Sequence, residues 1–427
     1  MEALLDLESA NQVASRRLAV VQSSGAWDLP TNAEARIHRI HAYPAKFPAF
    51  LTTRALEYAA SQDVDVKRVA DVFCGCGTVA HEATQAGLSF WGCDINPVAT
   101  LIARVKASSF QATRFRAYAE EICRVQPKAS AKRVLANEAL DRLDYWFSKP
   151  QFDALARLLN AIEKVVPARS KYRDAFYCAF SAILKSTSQW RQRSTKPALD
   201  PSKVPTGALA AFRRQCEQMA TAWQEESIEA IDTPQIELGN ITTIKGPATP
   251  VDMILTSPPY VTSYEYADLH QLSALWLGYA TDYRALRTGS VGTSQHQLDF
   301  RREFGKLNQV GLQVVFSLFN HDQLAARSVA NYYLDMQAVA KRCYQFLGKK
   351  GIAVFVIGNT QYSGVEIDNA SHLAEALFDA GFSRVRATKR RISNKMHTPF
   401  REGDGRFSQS EKDKTIYSEE FIVIGHR

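Results

Sequence analysis

The sequence lacks any apolar run near the roughly 20 residues that a membrane-spanning helix needs. Its opening stretch, MEALLDLESANQVASRR, carries acids where a secretory signal has a basic start, so we expect no export. The seven cysteines are scattered and odd in number, which disfavours a disulfide framework. These absences predict a reduced, cytoplasmic protein that has no membrane partner.

Metal ligands at the spacing of a zinc site are also missing. Cys74 and Cys76 form a C-x-C that lacks the second ligand pair such a site requires. His38 and His41 could share a helix face, but no matching ligands follow them. The sequence therefore predicts no metal site.

Acidic residues are outnumbered by basic ones, and the formal net charge is +8. The stretch 384–401, RVRATKRRISNKMHTPFR, contains no acid. A run of this kind is either a solvated face or a surface that contacts phosphates, so a polyanionic partner is an open hypothesis.

Short apolar strands alternate with helices at both ends of the chain, which predicts an α/β fold with a doubly wound, mostly parallel sheet. The predicted strands are VADVFC (69–74), FWGCDI (90–95), IEL (236–238), VDMILTS (251–257) and GIAVFVIGN (351–359), with SRVRATKRRI (383–392) and EEFIVIGHR (419–427) as a closing antiparallel pair. Residues 107–230 show helical spacing and are predicted to be inserted between the second and third strands. Within the chain, 188–205 is predicted to be an exposed loop and 284–304 a mobile stretch.

A glycine-rich turn, DVFCGCGTVA (71–80), stands between a predicted strand and a predicted helix. Gly75 and Gly77 permit a sharp turn and the close approach of a ligand. Asp94 ends the next strand, where its carboxylate could accept hydrogen bonds from two ribose hydroxyls. The combination predicts a site for a nucleoside cofactor, while a NAD-type site and a purely structural turn remain alternatives.

The tetrapeptide Ser-Pro-Pro-Tyr ends another apolar strand in DMILTSPPY (252–260), because proline cannot continue a ladder. In open α/β sheets, ligands bind at the carboxyl ends of the strands. The Ser257 hydroxyl and the Pro258 carbonyl could accept the two N–H bonds of a nucleobase amine and return the lone pair to its nitrogen. Tyr260 could then stack on a base taken out of the helix. A strand-terminating loop without chemistry is the alternative.

Together these motifs resemble the amino-methyltransferases of DNA, the S-adenosylmethionine-dependent enzymes of restriction-modification systems. TSPPY (256–260) resembles their catalytic motif, and its serine resembles the cytosine-N4 subgroup. DVFCGCGT (71–78) resembles the cofactor motif, DINPVA (94–99) the acidic motif, and HAYPAKFPAF (41–50) the segment that closes over the cofactor. ELGN (237–240) stands where the family often has Gly-Asp, with Asn240 in place of the aspartate. The cofactor motif precedes the catalytic one, which differs from the most familiar order.

The resemblance implies a Rossmann-like methyltransferase sheet that moves a methyl group from S-adenosyl-L-methionine to the N4 amine of cytosine in double-stranded DNA. The implied catalytic residues are Ser257, Pro258, Pro259 and Tyr260. The implied cofactor-binding residues are Tyr43, Pro44, Lys46, Phe47, Pro48, Asp71, Phe73, Gly75, Gly77, Thr78, Asp94, Ile95 and Asn240. Arg390, Arg391 and Lys395 are the predicted DNA contacts, and Tyr264 and Tyr266 are candidates for the base pocket.

The predicted catalytic domain comprises 36–106 and 232–427, with a helical insertion at 107–231 as a candidate for DNA recognition and an N-terminal extension at 1–35. The expected partners are double-stranded DNA and, if one exists, a cognate restriction endonuclease. Adenine-N6 methylation, an RNA amine substrate, a DNA-binding protein without turnover and a nicotinamide-dependent oxidoreductase are the alternatives. Cytosine-C5 methylation is excluded, because it uses a Pro-Cys nucleophile and no proline here precedes a cysteine.

Overall fold

The computed structural model describes residues 5–6, 24–28, 34–43, 46–192, 194, 197–226, 233–261, 266–291, 303–362, 364–392, 400–401, 407–408 and 419–427. Pro44, Tyr264, Lys395 and most of the predicted N-terminal extension lie outside these residues. Across the described ranges, no helix combines the length and the apolar character that a membrane span demands.

Strands and helices alternate along parts of the chain, and a long helical stretch lies in the middle. The strands are β1 (Leu5–Asp6), β2 (Arg68–Asp71), β3 (Ser89–Asp94), β4 (Gln235–Leu238), β5 (Val251–Thr256), β6 (Leu347–Ile357), β7 (Thr360–Tyr362), β8 (Val365–Ile367), β9 (Arg384–Arg391), β10 (Phe400–Arg401), β11 (Phe407–Ser408) and β12 (Glu419–His426). The helices are α1 (Phe50–Ser61), α2 (Thr78–Gln85), α3 (Pro97–Lys106), α4 (Ala112–Val125), α5 (Asn137–Trp146), α6 (Lys149–Val165), α7 (Lys171–Thr187), α8 (Ala208–Glu225), α9 (Tyr266–Leu269), α10 (Gln271–Trp276), α11 (Gln309–Phe319), α12 (Gln323–Phe346) and α13 (Asn369–Ala380).

One sheet organises the molecule, with the strand order β1-β9-β12-β6-β5-β2-β3-β4. The strands from β4 to β6 in this order are parallel, and β12 runs antiparallel to both β6 and β9. The predicted doubly wound, mostly parallel sheet with an antiparallel closing pair is therefore confirmed. The chain changes its direction of travel across the sheet between β2 and β5, which is where ligands bind in folds of this kind.

The central strands are apolar because both of their faces are covered. Along β6, Ile352 and Val354 pack with α1 and α2, whereas Ala353 and Phe355 pack with α11, α12 and α13. Adjacent residues of a strand point to opposite faces, so this alternation places β6 in the middle of a three-layer molecule. Because both faces of β6 are covered, residues 351–357 form a continuous buried apolar run.

The helices α4 to α8 form a further core beside the sheet, and they lie between β3 and β4 in the chain as predicted. Phe115 and Phe176 stack in this core with ring centroids 4.3 Å apart. The same core includes Leu101 and Ile102 of α3 and Trp276 of α10. The helical stretch therefore packs against α3, which follows Asp94, and against α10, which follows the Ser-Pro-Pro-Tyr motif. The domain boundaries at 107 and 231 stay a prediction.

The stretch 188–205 differs from the predicted exposed loop at Trp190, which is only 2% exposed. Its ring stacks on Trp146 with a centroid distance of 4.9 Å. Lys203 donates hydrogen bonds to the carbonyls of Lys185 and Trp190 at 2.7 and 2.6 Å. A single aromatic anchor in a polar segment leaves no periodic signal, so the sequence pattern did not indicate this burial.

Candidate active site

The glycine turn connects the end of β2 to the start of α2. Gly75 and Gly77 have φ values of 49° and 73°, which favour glycine over other residues. A Cβ at Gly77 would lie 2.6 Å from the backbone of Ala103 in α3. Gly77 therefore permits both the turn and the close packing of α2 on α3, and Thr78 follows as the first residue of the helix.

Asp94 lies beside this turn at the end of β3. Its Oδ2 accepts a hydrogen bond from the backbone N–H of Gly75, and its Oδ1 accepts one from Asn96, both at 2.8 Å. Burial raises the pKa of Asp94, and the two backbone hydrogen bonds act in the opposite direction. A carboxylate has about four acceptor positions, so Asp94 retains capacity for further donors such as ribose hydroxyls.

Asp71 joins the glycine turn to the strand that carries the Ser-Pro-Pro-Tyr motif. Its Oδ1 accepts hydrogen bonds from the Thr256 hydroxyl at 2.6 Å and from the backbone N–H of Phe73 at 3.0 Å. Asp71 is 3% exposed, and burial raises its pKa to about 7. Because Thr256 directly precedes Ser257, the two motifs share a wall of the same site. Asp71 faces β5 rather than open space.

Aromatic rings cover the glycine turn. A Cβ at Gly75 would lie 3.5 Å from the ring and the hydroxyl of Tyr43. Tyr43 stacks with Tyr266 at a centroid distance of 6.1 Å and lies 5.1 Å from the ring of His270. Burial lowers the pKa of His270 to about 3, which keeps the imidazole neutral, so its Nδ1 can accept from the Asn96 amide at 2.8 Å. Sequence reasoning missed His270, which lies outside every quoted motif.

The rest of the predicted covering segment packs against the protein. Lys46 forms an ion pair with Glu34 and donates to the carbonyl of His38 at 3.3 Å. Phe47 packs on the core beneath α1 and α2, and the carbonyl of Pro48 accepts from Leu51 in the first turn of α1 at 3.2 Å. Lys46 therefore anchors the segment, and its ammonium group is occupied by Glu34.

Asn240 is engaged within the protein. Its amide donates to the carbonyl of Gly289 at 2.8 Å, and its Oδ1 accepts from the backbone N–H and the hydroxyl of Thr242, both at 2.8 Å. A Cβ at Gly289 would lie 3.2 Å from Ile95, so Gly289 lies beside the ends of β3 and β4. The predicted cofactor contact by the Asn240 side chain does not fit this conformation. Residues 292–302 of the predicted mobile stretch fall outside the described residues.

The Ser257 hydroxyl donates to the carbonyl of Val356 in β6 at 2.9 Å. A carbonyl can only accept, so the proton of Ser257 is committed and its oxygen presents lone pairs to any third group. Pro258 is buried, and Pro259 and Tyr260 are half-buried. The tetrapeptide thus ends β5 as predicted and places an acceptor oxygen at the carboxyl end of the sheet.

The predicted DNA contacts are separated by the strand geometry of β9. Arg390 is 4% exposed and donates to Glu420 through Nε at 3.0 Å and Nη2 at 2.6 Å. Arg391, the next residue, is exposed. Successive side chains point to opposite faces of a strand, so the basic run is not one surface. A direct phosphate contact by Arg390 does not fit this buried position.

One cluster in the described part of the chain has the composition of a metal site. Ligand atoms of His38, His81 and Glu82 lie within 4.8 Å of one another. However, His38 is hydrogen-bonded to Glu82 at 2.8 Å, and His81 Nε2 lies 3.4 Å from Glu226. These contacts already pair the imidazoles with carboxylates, and the absence of a metal stays a prediction.

No protein-family model matches the chain. A curated relative, the Type II methyltransferase M.MvaI of Kocuria varians, is 23% identical over an alignment of 406 residues, and the match covers 86% of this chain and 86% of the relative. The rRNA methyltransferase AviRa from Streptomyces viridochromogenes matches 95% of this chain and 96% of its own at 10% identity, with a TM-score of 0.31. The magnesium protoporphyrin IX methyltransferase ChlM from Synechocystis PCC 6803 matches 92% and 93% at 9% identity, with a TM-score of 0.32.

Matches with TM-scores this low do not support the assignment of the fold, which rests on the strand order of the sheet. The methyltransferase prediction agrees with the name of the curated relative.

Proposed function

We propose that this protein is a DNA methyltransferase that moves a methyl group from S-adenosyl-L-methionine to the N4 amine of cytosine in double-stranded DNA. The observation that carries the proposal is the link between Thr256 and Asp71, which joins the Ser-Pro-Pro-Tyr strand to the glycine turn. The curated relative, a Type II methyltransferase, supports methyl transfer to DNA in a restriction-modification context.

The residues around the glycine turn fit the cofactor. Gly75 places no side chain between its backbone and the Tyr43 ring, and Asp94 keeps acceptor capacity for ribose hydroxyls. S-adenosylmethionine supplies an electrophilic methyl group on a sulfonium. The protein needs to position the amine in line with that methyl group, which is where most of the rate advantage arises.

Ser257 and Pro258 supply the acceptors that activate the amine. The Ser257 oxygen can accept one amine N–H because its own proton is directed to Val356. The Pro258 carbonyl can accept the other. The lone pair thereby released forms the new N–C bond as the C–S bond breaks, and the methylated nitrogen then loses one proton to solvent.

The decisive experiment identifies the methylated base. Purified protein is incubated with S-adenosylmethionine and unmethylated genomic DNA, and the nucleosides are analysed by mass spectrometry. We expect N4-methylcytosine. N6-methyladenine would contradict the cytosine assignment, and methylation of RNA alone would contradict the DNA assignment.

Ser257→Ala tests the role of the hydroxyl. We expect turnover to fall by about 100-fold or more, because the loss of one preorganised hydrogen-bond partner of a reacting group typically has this size. Binding of S-adenosylhomocysteine, measured by calorimetry, should stay within about twofold of wild type. An equal loss of affinity would show that Ser257 belongs to the cofactor site instead.

A further inference from the structure

We propose that Glu420, held in place by Arg390, is a positioning residue that orients Tyr260 for stacking on the target base. The proposal rests on the proposed function of the Ser-Pro-Pro-Tyr motif. It assigns to the β9–β12 strand pair a part in the catalytic site that the sequence motifs do not indicate.

The contacts form a continuous chain of three side chains. The Tyr260 hydroxyl donates to Glu420 Oε1 at 3.0 Å. The other carboxylate oxygen, Oε2, accepts two hydrogen bonds from the Arg390 guanidinium at 3.0 and 2.6 Å. Each oxygen of Glu420 therefore serves a different partner. An ionised acceptor makes the bond to tyrosine stronger than a neutral pair would be.

Burial makes this arrangement rigid. The side chains of Arg390 and Glu420 are only 5% and 11% exposed. A buried charge pair is costly to break, because either partner alone would be left uncompensated. The pair is also aligned by the backbone, since Arg390 and Glu420 stand directly opposite each other in the antiparallel β9–β12 ladder.

Tyr260 reaches this pair across the end of β6. A Cβ at Gly358, just beyond β6, would lie 3.4 Å from the Tyr260 ring and hydroxyl. Burial, with the negative charge of Glu420 adding to it, raises the pKa of Tyr260, so the phenol remains a protonated donor. The ring is thus fixed at its tip by Glu420 and at its base by the proline-rich loop.

A fixed ring matters because a stacking platform loses effect when it rotates away from the base. Tyr260→Phe keeps the ring and removes only the anchor. Glu420→Gln keeps the shape and removes the charge that holds both neighbours. Glu419→Gln is the matched control, since Glu419 lies next in the same strand, is more exposed and pairs with Lys389 at 3.4 Å.

The test uses a duplex that contains the methylated sequence, with 2-aminopurine at the target position to report on the extruded base. With Tyr260→Phe and Glu420→Gln, we expect KM for DNA to rise by roughly tenfold, the size of one hydrogen bond to a charged group. The 2-aminopurine fluorescence of the complex should also rise, because the base is no longer quenched by a fixed Tyr260 ring. Glu419→Gln should leave the KM for DNA and the 2-aminopurine signal at their wild-type values. The affinity for S-adenosylhomocysteine should equal that of wild type in all three variants.

Combining the two variants separates positioning from a purely structural effect. If the residues act through each other, Glu420→Gln should add little in the Tyr260→Phe background. Should Glu420→Gln fail to fold, Tyr260→Phe still decides, since it leaves the ion pair intact. Wild-type KM and 2-aminopurine signal in Tyr260→Phe would overturn the positioning role while the proposed function stands. A wild-type protein that methylates no DNA would overturn the proposed function itself.

Discussion

At the residue scale, Asp71 shows how a buried carboxylate can serve both geometry and stability. Its ordinary pKa is 3.8, and burial raises it to about 7 in the folded protein. The folded state therefore holds this proton more tightly than the unfolded state. The resulting contribution to the free energy of unfolding is fully present below pH 3.8 and is lost as the pH rises through about 7.

Asp71→Asn should remove this pH dependence, because the amide stays neutral while its oxygen can still accept from Thr256 and Phe73. We expect the stability difference, wild type minus variant, to fall by about 1.4 kcal/mol per pH unit between the two pKa values. Urea unfolding at several pH values between 4 and 8 measures it. A difference that stays constant, or that grows with pH, would contradict the raised pKa.

At the element scale, the alternation of side chains along β9 places neighbouring residues of the basic run 384–401 on different surfaces. Arg390 and Arg391 point to opposite faces of β9, and burial also varies along one face, since Val385 and Ala387 are fully buried while Arg391, on the same face, is exposed. Arg390 falls on a buried position opposite Glu420. A charge count along the chain cannot separate these positions, because the separation depends on which strand lies alongside.

A second feature at this scale is the hydrogen bond that the Asn240 amide donates to the carbonyl of Gly289, which links residues 283–291 to the end of β4. Asn240→Asp would replace the amide donor by an acceptor that faces the Gly289 carbonyl. Gly289 lies beside Ile95, next to the predicted cofactor site, so loss of this contact should disturb that site. We expect the affinity for S-adenosylhomocysteine to fall by about five- to tenfold, the size of one lost hydrogen bond. Calorimetric titration measures it.

Asn160→Asp is the matched control for this change. Its amide also donates to backbone carbonyls, those of Ser130 and Lys132, but in the helical stretch. Its affinity for S-adenosylhomocysteine should equal that of wild type. Equal affinities of wild type and Asn240→Asp would show that the Asn240–Gly289 hydrogen bond does not shape the predicted cofactor site.

At the scale of the whole molecule, one core joins the helical stretch to α10, which follows the Ser-Pro-Pro-Tyr motif. Trp276 of α10 is fully buried among residues of α6 and α7, and its ring lies 4.8 Å from Phe152 and 5.7 Å from Phe180. Gln271, in the same helix, accepts from Arg142 at 2.7 Å and from Trp146 at 3.2 Å. The segment after the Ser-Pro-Pro-Tyr motif is therefore held by the helices.

Trp276→Ala should accordingly destabilise the whole molecule. We expect a loss of about 3–5 kcal/mol, typical of truncating a buried tryptophan, within a single cooperative transition. Urea unfolding followed by circular dichroism and by fluorescence measures it. Phe316→Ala, at a residue that is 64% exposed, should change stability by less than about 0.5 kcal/mol. Two separate transitions would show that the helical stretch is an independent domain.

The sequence by itself determined the local features of this protein. The glycine turn, the end of β5 at two prolines and the apolar strands β5 and β6 follow from steric limits and from periodicity, which act over a few residues. The mostly parallel sheet with an antiparallel closing pair could also be predicted, because strands that alternate with helices favour this fold class.

Only the tertiary structure decided which distant side chains meet. Tyr260 and Glu420 are 160 residues apart in the chain, and Asn240 and Gly289 are 49 apart. No local pattern encodes such pairs, because they exist only when the sheet brings separate strand ends together. The buried position of Arg390 has the same cause. Its neighbours in sequence indicate a charged surface, and its neighbour in space, Glu420, stabilises the charge within the interior.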